Sequence, residues 1–108
     1  MGYQPWYQHN TFPAIQIPLN VEAIADNITG LTASSFTMII RDLSAATDRT
    51  GTGTFAVITS NPAVVSYQFS DADTTFGLNC ELFIEAVFPG AGGGKAVYDP
   101  VPFAFTAS

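Results

Sequence analysis

The chain has 108 residues, with nine acidic against three basic and a formal net charge of −6. A length near the commonest domain size implies one domain and excludes a multidomain enzyme. Arg41, Arg49 and Lys95 are its only Lys and Arg residues and cannot neutralise a run of phosphates, so nucleic acid and anionic membranes are set aside as partners. Cys80 is the only cysteine, which leaves no internal disulfide, and every apolar run is interrupted well before the roughly 18–20 residues that span a bilayer. Met1 leads into Gly2-Tyr3-Gln4-Pro5-Trp6 with no basic segment ahead of an apolar one, so the expectation is a soluble product made in the cytoplasm.

The stretch 1–13 carries Tyr3, Trp6, Tyr7 and Phe12 among Gln, Asn and two prolines, and it has neither helical nor alternating periodicity. It reads as an extended arm. Its four aromatics are the candidate partner-binding residues, because Trp and Tyr anchor interfaces more often than other side chains do. The competing reading is an arm folded back over its own domain.

From Ile15 the pattern alternates: Ile15, Ile17, Leu19, Val21, Ala23 and Ala25 are separated by Gln16, Pro18, Asn20 and Glu22, as in a strand with one buried face. Pro18 assigns that strand to an edge or a bulge. After turn residues Asp26 to Gly30, a second strand is predicted over Phe36 to Arg41. The small polar stretch Asp42 to Gly53 reads as a loop with Asp48-Arg49-Thr50-Gly51 at its tip. Further strands are expected over Thr54 to Ile58, over Val64 to Phe69 and over Gly77 to Phe88, where Leu78, Cys80, Leu82, Ile84, Ala86 and Phe88 share a face. The last strand falls within Ala96 to Ala107, broken by Pro100 and Pro102. Six strands and no convincing helix predict an all-β antiparallel β-sandwich over 14–108, with Phe36, Met38, Ile40, Val65, Tyr67, Leu82, Ile84 and Phe103 in the core.

No constellation points to catalysis. His9 is the only histidine and lies in the arm, where it is poorly placed to hold a general base in register. Cys80, on the face of Leu78 and Leu82, reads as a small core hydrophobe. Asp71 and Asp73 have the spacing of a calcium loop's start, but no further acidic ligands follow, so they are assigned to turn amides and no metal or cofactor is expected. Glu81 and Glu85 lie about 13 Å apart on one strand face, too far for a glycosidase pair. Gly90 to Ala96 lacks the leading Gly and the Ser or Thr of a phosphate loop. Asn27-Ile28-Thr29 matches a glycosylation sequon without a visible route to the modifying compartment.

The order of motifs resembles an immunoglobulin-like domain of tailed-phage virions, and among these the N-terminal domain of baseplate upper proteins. The resemblance is carried by Ile15 to Val21, Asn27-Ile28-Thr29-Gly30-Leu31-Thr32, Ile40-Arg41-Asp42, Val65-Ser66-Tyr67-Gln68-Phe69, Ser70-Asp71-Ala72-Asp73-Thr74, Gly77, Glu81 and Phe88-Pro89. It covers roughly 15–106 and leaves the arm outside. The larger second domain of the long baseplate proteins has no counterpart in the 108 residues. The resemblance implies an immunoglobulin-like sandwich and a non-enzymatic tail, neck, baseplate or capsid-surface component that binds copies of itself and other virion proteins. The alternative is a carbohydrate-binding module stacking a host glycan on Tyr3, Trp6 and Tyr7.

Overall fold

The computed structural model describes residues 6–89 and 93–107. The protein is all-β. One sheet runs in the order β1 (Trp6–Tyr7), β11 (Val101–Thr106), β9 (Asn79–Val87), β5 (Phe36–Asp42), β6 (Thr47–Thr50), with β10 (Lys95–Val97) also pairing β9. A second sheet has the order β2 (Ile15–Pro18), β8 (Ala63–Gln68), β7 (Thr54–Ser60), and β3 (Asn20–Val21) pairs with β4 (Ile24–Ala25) in a small hairpin.

The alternation in β5, β8 and β9 decides the register. Met38 stands opposite Ile84 and Ile40 opposite Leu82, so their side chains point to one face, and all four are buried. Ile17 faces Val65 in the second sheet. The inward residues of both sheets join in one cluster that includes Phe36, Phe55, Val65, Tyr67, Cys80, Leu82 and Phe105. Phe36 from β5 and Phe55 from β7 bridge the sheets with ring centroids 5.7 Å apart, and each fully buried side chain of this size stabilises by roughly 1.5–3 kcal/mol. Phe103 is only partly buried and packs on the rim of this cluster. Pro18 does lie on an edge strand, where its missing N–H costs no ladder bond.

Five expectations are corrected. The long first strand stops at Pro18, because Glu22 and Ala23 take φ of 50° and 67° and turn the chain back as the β3–β4 hairpin, leaving Val21 and Ala23 exposed. Asp48 to Thr50 is not a loop tip but part of β6, paired with β5 through Ile40 opposite Arg49; the reversal comes earlier, at 43–46. A one-turn helix, α1 (Asp71–Thr74), and a 3-10 turn, Ala33–Ser35, interrupt the strands. Leu78 is 46% exposed, since it precedes β9 and escapes the inward alternation. Lastly, the pairing is not wholly antiparallel: β1 runs parallel to β11, with Trp6 opposite Phe105 and Tyr7 opposite Thr106.

Candidate interaction surface at the first strand

Alternation along β1 sends Trp6 inward and Tyr7 outward. The Trp6 ring meets Phe69 and Phe103 edge-on, at 5.4 Å and 5.8 Å between centroids, and its indole N–H donates to the Asn10 carbonyl at 2.8 Å. Trp6 is thus an anchor of the arm on its own domain, partly buried against Phe69 and Phe103. Tyr7 is 48% and Phe12 74% exposed. Tyr3 lies outside the described residues.

Three further contacts secure the segment after β1. Gln8 N–H donates to the Thr106 carbonyl at 2.8 Å. His9, at a positive φ of 69°, donates its amide to Thr74 Oγ1 at 2.8 Å, and its Nδ1 lies 2.6 Å from Asp71 Oδ1. Both partners belong to α1, so the helix that interrupts the strands is also where the arm is tied down. The His9 and Asp71 side chains are 62% and 64% exposed, which places the pair in solvent, where an ion pair contributes little.

Beside β1 lies an open groove of about 540 Å³ lined by Trp6, Leu43, Asn79, Cys80, Pro102, Phe103 and Ala104. Pro102 stands opposite Glu81 and Ala104 opposite Asn79, on the outward face of the sheet that Tyr7 also shares. The small Ala104 side chain leaves a depression there, and Asn79 is the polar group on an otherwise mostly apolar wall. Cys80 borders the groove but alternates inward with Leu82 into the core, a buried free thiol whose pKa burial pushes up to about 11, an environment that keeps it protonated and unreactive at neutral pH.

The second carboxylate of α1 behaves differently. Asp73 is fully buried and accepts from Thr52 N–H at 3.0 Å, Ser70 N–H at 3.2 Å and the Tyr67 hydroxyl at 2.5 Å. Arg49 Nε sits 3.5 Å from the same carboxylate. Burial and the Asp73 carboxylate together push the Tyr67 phenol up. Asp73 therefore does meet turn amides, while Asp71 meets the arm. Among the described residues no group of three or more His, Cys, Asp or Glu is placed to hold a metal ion.

Sequence reasoning singled out Trp6, Tyr7 and Phe12 but missed Leu43, Asn79 and Ala104, which no local signal marks, and missed Thr74 as the arm's acceptor. No family model matches the chain, and no curated protein or solved structure matches it significantly.

Proposed function

We propose that the chain is an immunoglobulin-like β-sandwich and a non-enzymatic structural component of a tailed-phage virion, working through contacts with copies of itself and with other virion proteins. The sheet orders β1-β11-β9-β5-β6 and β2-β8-β7 support the sandwich, because the chain passes from one sheet to the other between β6 and β7 and back between β8 and β9, the kind of inter-sheet connection a Greek key contains. The observation that carries the assembly reading is the outer face beside β1. There Tyr7 stands in solvent on the face that also holds the apolar groove of Leu43, Pro102 and Ala104, and Tyr is among the residues most enriched at interfaces. A surface poor in charge adds to this, with 11% charged residues against about a quarter in ordinary soluble domains.

The glycan reading has less to stand on. Trp6, its best platform, spends its ring on Phe69 and Phe103, and Tyr7 remains as the exposed aromatic of β1.

The test is a mass measurement of the purified full chain together with a protein inventory of phage particles. Self-association that is lost in Tyr7→Ser with the fold intact, and presence of the chain in particles, is the expected result. A strictly monomeric protein absent from particles, or one retained on immobilised glycans through Tyr7, overturns the reading.

A further inference from the structure

Phe12 is, at 74%, the most exposed large hydrophobic side chain among the described residues, and the segment that carries it is anchored on both sides. Before it, the Asn10 carbonyl accepts from the Trp6 indole at 2.8 Å, the Asn10 amide donates to the Tyr7 carbonyl at 3.1 Å, and His9 is tied to α1 through Thr74 and Asp71. After it, Ile15 is already paired with Tyr67 in the second sheet. Only residues 11–14 lie between these anchors, so the ring is held out into solvent with little room to travel. A contact residue ordered in advance loses less entropy on binding than one on a free tail.

The groove beside β1 has the complementary shape and chemistry. Trp6, Leu43, Pro102, Phe103 and Ala104 are its apolar walls, with Asn79 as the polar group, and its volume of about 540 Å³ is ample for an aromatic ring. Phe12 is not among the lining residues, so the ring sits outside the groove of its own copy. Neither surface carries a charge: the groove lining has none, and neither has Asn10-Thr11-Phe12-Pro13-Ala14. Glu81, which stands opposite Pro102, is matched on its other side by Arg41. For a chain of net charge −6 this matters, because two copies approach most easily where acidic groups are not brought together.

On the assembly reading given above, we propose that the Phe12 ring of one copy docks in this groove of a second copy, the arm acting as knob and the outer face beside β1 as socket. Each copy carries one knob and one socket, so the contact repeats from copy to copy. One aromatic side chain buries roughly 150–250 Å², far below the roughly 1,200 Å² of a stable pair. The single contact is therefore weak and gains its strength from repetition in an array.

Sedimentation of the full chain at roughly millimolar concentration, where weak contacts are populated, tests this with two variants that each keep one half of the contact. Phe12→Ser keeps the socket, and Ala104→Arg, which fills the socket, keeps the knob. Both positions are exposed, so circular dichroism should match the wild type. The added arginine lowers the net negative charge, so charge alone would favour association and cannot account for its loss. The wild type is expected to associate, each variant alone to associate about tenfold more weakly, and an equimolar mixture of the two to restore one-to-one pairs. A mixture as monomeric as its components, or Phe12→Ser associating like the wild type while Tyr7→Ser does not, overturns the docking and leaves the assembly reading standing. A wild type that stays monomeric overturns both.

Discussion

Asp71 and Asp73 stand two residues apart on one turn of helix, yet they do opposite work. Asp73 is fully buried and gathers Thr52, Ser70, Tyr67 and Arg49 around it; Asp71 lies 64% exposed and holds only His9 of the arm. A helical turn sends residues two apart to nearly opposite sides, so one carboxylate enters the core and the other faces solvent. The same functional group therefore pins the sheets together in one place and holds a terminal segment loosely in the other. Burial decides which: hydrogen bonds to a charge in a water-excluded site are worth more, and leaving partners of such a charge unpaired costs more, than the same contacts in water.

The sharpest way to break this contrast is Asp73→Ala. It strands the Tyr67 hydroxyl, two amides and the partly buried Arg49, and should cost about 3 kcal/mol, with Asp73→Asn recovering part of the loss by keeping acceptors. Chemical denaturation of both variants reads it, and a cost under half a kcal/mol would reduce Asp73 to an ordinary cap. Next comes Gly53→Ala beside the same network. A Cβ there would collide with the Gln68 backbone carbonyl, and the Tyr67 hydroxyl would lie 2.8 Å away, so a loss of roughly 1–3 kcal/mol is expected. A melting temperature equal to wild type would contradict the close approach.

A third carboxylate falls between the two extremes. Asp99 accepts from the Glu22 and Ala23 amides at 3.0 Å and 2.8 Å, holding the positive-φ tip of the β3–β4 hairpin. Asp99→Ala is expected to cost about 1 kcal/mol, while Ala23→Gly, which relieves a left-handed backbone, should stabilise by about 0.5–1 kcal/mol. If Ala23→Gly is instead destabilising, the hairpin turn is not under the strain its φ implies. The smallest effect belongs to Asp71→Ala: at most about 1 kcal/mol globally, but with faster amide exchange confined to the His9 region. A global loss as large as that of Asp73→Ala would erase the contrast.

These differences also mark what was legible beforehand. The faces of β5, β8 and β9 follow from strict alternation of large apolar residues, and the assigned core residues are buried apart from Phe103 at the rim. By contrast β6 reads Thr-Asp-Arg-Thr, which has the composition of a loop, and it becomes a strand because β5 offers it an edge. The β3–β4 turn has Glu22 and Ala23 where Asn-Gly would announce a two-residue turn, and the missing signal is supplied from far along the chain by Asp99. The groove was illegible for the same reason: Leu43, Asn79 and Ala104 come from three separate segments and meet only across paired strands.

What the sequence determined by itself is the all-β class and the inward face of each principal strand, because a period of two is written locally and burial of one face leaves a single register for each. What only the tertiary structure decided is where the exceptions go. Trp6 turns into its own core, Tyr7 stays outside, Asp73 enters and Asp71 does not, because each outcome depends on which distant residues are near enough to supply a ring, an amide or a guanidinium, and local pattern carries no record of that.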